Sequence, residues 1–88
     1  LSSEDPVQLF PNPANTDFTL QFNTEIKGNA EFNIYSIQGA RMLQKKRTVD
    51  ETDPSISFSA EQLPNGIYLL EGTVNNFRFR KKLMIHHP

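Results

Sequence analysis

Residues 66–85 read GIYLLEGTVNNFRFRKKLMI. Two strand-like runs, Gly66–Val74 and Phe77–Ile85, are separated only by Asn75-Asn76. Asparagine tolerates the left-handed backbone of a tight turn better than most residues, so the pair predicts a two-residue hairpin. Side chains alternate faces along a strand. In the second run Phe77, Phe79, Lys81, Leu83 and Ile85 therefore share one face, and Arg78, Arg80, Lys82 and Met84 share the other. The run is a half-apolar, half-basic ribbon. Charged side chains on such a strand blunt edge-to-edge aggregation, and the same stripe offers a backbone edge and basic side chains to a partner.

The rest of the chain repeats the strand-and-turn rhythm. Val7–Phe10 is a short apolar start, stopped by Pro11-Asn12-Pro13. Phe18, Leu20 and Phe22 alternate with Thr19 and Gln21, the period of a half-buried strand. Lys27-Gly28-Asn29 reads as a turn. Ala30–Ile37 places Phe32 and Ile34 on one face and Tyr35 and Ile37 on the other, which predicts an inner strand. Gln38-Gly39 predicts a second two-residue hairpin, leading into Ala40–Val49. Asp50–Pro54 is an acidic loop, and Ile56 and Phe58 mark another half-buried strand. Ser59–Leu63 has the capping pattern of a single helical turn, with Ser59 as cap and Gln62 as its partner. Seven short strands without a long helix predict an all-β fold. The expected form is an immunoglobulin-like β-sandwich of mainly antiparallel strands, with a small barrel as the other option.

Composition narrows the function classes. The chain has 88 residues, one domain's worth, and no cysteine. Disulfides, thiolate metal sites and cysteine nucleophiles are excluded. A net charge of −1 gives no global attraction to nucleic acid, and the basic stripe is offset by acidic residues elsewhere. The longest apolar run, Ile67–Leu70, is the length of a strand, far short of the ~20 residues of a membrane-spanning helix. Leu1–Pro6 is short, polar and acidic and reads as the end of a linker, with the domain running over residues 7–88. The only histidines, His86 and His87, sit on a tail expected to be mobile, a poor support for a serine–histidine–acid site or for a metal. Asp50–Asp53 lacks the alternating oxygen ligands of a calcium loop and reads as a solvated turn. No cofactor is expected.

Four pieces occur in order: Leu9–Ala14 with its Pro11-Asn12-Pro13, then Phe32–Gly39, then Leu63–Leu70 with Leu63, Gly66 and Tyr68 spaced as Leu-x-x-Gly-x-Tyr, and finally Arg80–Ile85. Together they closely resemble the type IX secretion C-terminal sorting domain family, also called the Por secretion system sorting domain. The resemblance runs from Leu9 to Ile85, and it rests on order, spacing and the terminal position of the last piece. Three positions depart from the family pattern: Phe10 where tyrosine is frequent, Ser36 where aspartate is common, and Ala40 where a basic residue is usual. His86-His87-Pro88 extends past the usual end.

Each piece also has a backbone reason. Pro11 and Pro13 bias Phe10 and Asn12 toward extended conformations and are expected to fix how the chain enters the sheet. Gly39 and Gly66 are expected to serve positive φ or a tight approach. Tyr35 and Tyr68 are expected as core rings with satisfied hydroxyls.

The resemblance implies a secretion signal. A cargo on the same chain would cross the inner membrane with a separate signal. The sorting domain would fold in the periplasm and be recognised by an outer-membrane translocon and a shuttle barrel protein. A sortase would then, for many cargoes, remove it within or before Leu1–Pro6, leaving cargo at the cell surface or secreted. The expected address is the last strand, with Arg78, Arg80, Lys81 and Lys82 steering and Leu83, Met84 and Ile85 anchoring. The alternative reading is an accessory carbohydrate- or protein-binding β-sandwich module, which exposed, coplanar Tyr35 and Tyr68 would favour. An inert spacer is the third. The exposed final edge also allows weak homodimerisation by strand addition.

Overall fold

The computed structural model describes residues 5–88. Seven strands follow one another: β1 (Val7–Phe10), β2 (Asp17–Phe22), β3 (Gly28–Ser36), β4 (Arg41–Val49), β5 (Ser55–Ser59), β6 (Gly66–Val74) and β7 (Phe77–Ile85). They form a three-stranded sheet in the order β1-β2-β5 and a four-stranded sheet in the order β4-β3-β6-β7, with every strand pair antiparallel. This is the expected immunoglobulin-like sandwich, with two sheets and no closed barrel.

The core lies between the inner faces. Phe18, Leu20 and Phe22 point in from β2, and Phe32 and Ile34 from β3. Tyr68, Leu70 and Val74 point in from β6, and Leu83 and Ile85 from β7. The Phe18 and Phe58 rings stack at 4.9 Å within the smaller sheet. Phe32 meets Phe58 edge-on at 5.6 Å across the sandwich. Each such ring, fully buried, contributes about 1.5–3 kcal/mol of apolar stabilisation. Gly72 faces inward opposite Phe79, and a Cβ there would meet the Phe79 and Phe32 rings. Its missing side chain is what lets those rings close over the sheet.

The turns follow their local chemistry, with two corrections. Asn75 takes φ 52° in the β6–β7 turn, as that hairpin requires, and its Nδ2 donates to the Lys27 carbonyl at 3.0 Å. The β3–β4 connection is longer than the two residues expected. It runs over residues 37–40, with Gly39 at φ 93°, and the Ala40 N–H donates to Ser36 Oγ at 3.2 Å. The ladder slips between Ile34 and Tyr35, so Met42 becomes the extra residue of a bulge. The helical turn expected at Ser59–Leu63 does not form. The Ser59 hydroxyl accepts the Glu61 N–H at 3.3 Å, and a single turn closes from Leu63 N–H to the Ala60 carbonyl at 3.1 Å. Pro64 then denies the next turn its donor.

Residues 1–4 of the expected linker end lie outside the described residues. Asp5 and Pro6 are tied to the sandwich. Asp5 Oδ1 accepts the Val7 N–H at 3.1 Å, and the Pro6 carbonyl accepts the Asn23 N–H at 2.9 Å.

Candidate functional site

β7 is the outer strand of the larger sheet, so one of its backbone edges has no strand beside it. Along it the side chains alternate as expected. Leu83 and Ile85 are buried, Phe77, Phe79 and Lys81 are half-buried, and Arg78, Arg80, Lys82 and Met84 are exposed. Of the three residues expected to anchor a partner, Leu83 and Ile85 instead hold the strand in the core, and Met84 alone faces solvent. Of the four basic residues, Lys81 turns toward the smaller sheet and pairs with Asp5. The hydrogen bond from Lys81, aided by the Val7 N–H, holds the Asp5 carboxyl below the ordinary carboxylate range. Arg80 Nε pairs with Glu71 at 3.0 Å on the outer face. Among the described residues Arg78 and Lys82 have no ion pair.

The Pro11-Asn12-Pro13 segment lies against the far end of this edge. Prolines carry no N–H, so the segment cannot complete a backbone ladder with β7. The Asn12 carboxamide supplies what the prolines lack. Its Nδ2 donates to the Lys82 carbonyl at 2.9 Å and its Oδ1 accepts the Met84 N–H at 2.9 Å. Ala14 continues the contact, donating to the Met84 carbonyl and accepting the His86 N–H, both at 2.8 Å. Both X-Pro bonds are cis. The motif thus plugs the edge from Lys82 to His86. By ladder alternation the backbone groups of Arg78 and Arg80 face the same side, and no strand lies beside them there. The sequence reading gave Pro11 and Pro13 a role at the sheet entrance and missed the plug. Its signal was an asparagine held between two prolines.

The tail departs from expectation. His87 is fixed rather than mobile. Its N–H donates to Asn65 Oδ1 at 2.7 Å, its Nε2 lies 2.7 Å from the Leu63 carbonyl, and its Nδ1 lies 3.2 Å from Asn15 Oδ1. No acid or hydroxyl side chain is among these partners. Asp50–Asp53 is the turn expected of it. One Asp50 oxygen accepts the Thr52 N–H at 2.9 Å, the Thr52 hydroxyl at 2.7 Å and the Asp53 N–H at 2.8 Å. The Thr52 hydroxyl, first among these donors, holds the Asp50 carboxyl below its ordinary range. No group of three or more His, Cys, Asp or Glu able to hold a metal occurs among the described residues. Among the described residues no helix is long and apolar enough to cross a membrane.

Tyr68 is a core ring, its hydroxyl donating to the Pro64 carbonyl at 2.6 Å. Tyr35 is half-buried on the outer face, paired with Leu69. The two rings therefore lie on opposite faces of the sheet and form no common platform for a sugar. Gly66 takes φ 157° at the start of β6, and Leu63 is buried beneath the turn before it. Most of the four-piece pattern is thus spent on the fold and on the edge plug.

The domain is a two-sheet sandwich whose final strand is an edge, basic outside and plugged at one end by a side chain. The profile described as "Secretion system C-terminal sorting domain" matches residues 8–86, and the chain belongs to that family. Such a domain is the sorting signal of type IX secretion, marking an attached cargo for export across the outer membrane to the cell surface or the medium. Among solved structures the chain is similar to part of dimeric latent PorU from Porphyromonas gingivalis, with a TM-score of 0.71 and 20% identity over 93% of this chain. It spans 9% of that protein's length, and at that identity the likeness is one of fold. The comparison with curated proteins returns no match.

Proposed function

We propose that the outer-membrane translocon and its shuttle barrel recognise this domain through the outward stripe of β7, Arg78, Arg80, Lys82 and Met84. Leu83 and Ile85 fix the strand from inside, and the Lys81–Asp5 pair ties it to the smaller sheet. The observation that carries the reading is an edge strand with a basic, exposed face and a fixed end. Such a strand presents charge in a set register rather than as a loose tail, and the charge steers encounter with an acidic receptor. The domain works by recognition, with no reaction of its own. It folds in the periplasm with its cargo upstream. A sortase that removes it cuts before Asp5, because Asp5 and Pro6 are bonded to the sandwich and a protease needs free backbone.

The test is a charge reversal that leaves the core untouched. A reporter with an export signal is fused upstream of the domain, with R78E, R80E and K82E introduced together. The fusion is expected to fold and to remain in the periplasm of a type IX-competent bacterium. Surface delivery equal to that of the unmodified domain would refute the stripe as the address.

A further inference from the structure

Five of the six exposed large hydrophobic side chains among the described residues gather at one end of the four-stranded sheet: Ile37, Met42, Ile67, Leu69 and Met84. The ladder shows how. Ile67 stands opposite Met84, and Leu69 opposite Lys82 on one side and Tyr35 on the other. Tyr35 in turn stands opposite Arg41, next to the bulged Met42. One row across the outer face therefore reads Arg41, Tyr35, Leu69, Lys82, with a cation at each end and apolar side chains between. Neither Arg41 nor Lys82 has an ion pair among the described residues. Clustered apolar side chains on a solvent face mark an interaction site, whereas scattered ones do not.

We infer that this face docks an amphipathic segment of a separate protein, apolar along its centre and carboxylate-bearing on both sides. Two observations select that occupant. A second copy of the chain stacked face to face with its row aligned on this one, in either direction, brings cation to cation, and like-charge juxtaposition opposes such a pairing. A bilayer is met by protruding side chains, and only Ile37 protrudes, at 75% exposure; the other four lie nearly flush at 36–43%. A flush apolar strip between two unpaired cations matches a narrow protein segment with acidic flanks. This deepens the recognition reading, on which it rests, and moves the apolar part of the contact from the terminal strand alone to β3, β4 and β6.

The test uses the full chain, isotope-labelled, and a synthetic peptide of alternating leucine and threonine flanked by aspartates. On titration the amide resonances of Tyr35, Ile67, Leu69 and Met84 are expected to move together. A peptide with the same centre and lysine flanks is expected to bind at least about tenfold more weakly. The variant I67T/L69T, its core resonances unchanged, is expected to lose the aspartate-peptide response. Equal binding of both peptides, movement centred elsewhere, no movement at all, stronger binding to anionic phospholipid vesicles than to the peptide, or a dimer of the free chain would each overturn the inference. A chain that sorts its reporter but ignores the peptide sinks this inference and spares the stripe reading. A chain that binds the peptide but fails to sort does the reverse.

Discussion

The side-chain oxygen of Asn12 accepts the backbone N–H of Met84 at 2.9 Å, across 72 positions of sequence. With the return bond from Asn12 to the Lys82 carbonyl, one carboxamide stands in for a missing strand. Two hydrogen bonds of about 0.5–1.5 kcal/mol each predict that N12A loses about 1–3 kcal/mol in urea unfolding. The site-specific sign is amide exchange. The Met84 N–H should exchange faster in N12A, while the Leu83 N–H, which faces the β6 side of the ladder, should hold.

Gly72 is predicted to reject even a methyl group. A Cβ there would fall on the Phe79 and Phe32 rings, so both must shift to admit it. G72A should destabilise by about 1–3 kcal/mol, the usual cost of overpacking a filled core. The urea midpoint should fall without a change in slope.

Truncation of the terminal strand tests folding before it tests sorting. Leu83 and Ile85 are both buried, so L83A should cost about 2–5 kcal/mol. A chain ending at Lys81 is expected to lose its cooperative melt by circular dichroism. A secretion defect in such a truncation therefore reports the fold, and surface charge reversals are the variants that separate address from architecture.

Two carboxylates set the acid response. Asp5 is lowered chiefly by the Lys81 hydrogen bond, and Asp50 chiefly by the Thr52 hydroxyl. Both bind protons more weakly folded than unfolded. Their contribution is complete above the unfolded value of about 3.9 and is lost as pH falls through the lower folded values. Stability should thus drop below about pH 4. In D5N/D50N that drop should be visibly shallower when thermal midpoints are compared between pH 3 and pH 6, conditions chosen to bracket the unfolded value of about 3.9.

Strand periodicity carried most of the architecture. The alternation Phe18-Leu20-Phe22 and the pair Asn75-Asn76 predict their elements because they act through neighbours in sequence. β6 and β7 have the bounds read from the sequence. What escaped depends on distance. Met42 becomes a bulge only because β3 and β4 must keep Ile34 against Leu43 while the loop closes. Asn12 becomes a plug only when β7 arrives beside it. Lys45 turns its ammonium over the Phe58 ring of β5 at 4.7 Å, where burial lowers its pKa, helped by Arg47, a contact that exists only once the two sheets meet. Leu83 and Ile85 read equally well as anchors for a partner or for the core, and only the opposing sheet decides between them.

The most direct test of the central claim, that this chain is a type IX sorting signal, is delivery of a reporter fused upstream of Leu1. The fluorescence to measure is that of surface and medium, in a strain with the translocon and in one without. The account predicts export with the translocon and retention in the periplasm without it. Retention of a folded fusion in both strains, or export in both, would contradict it.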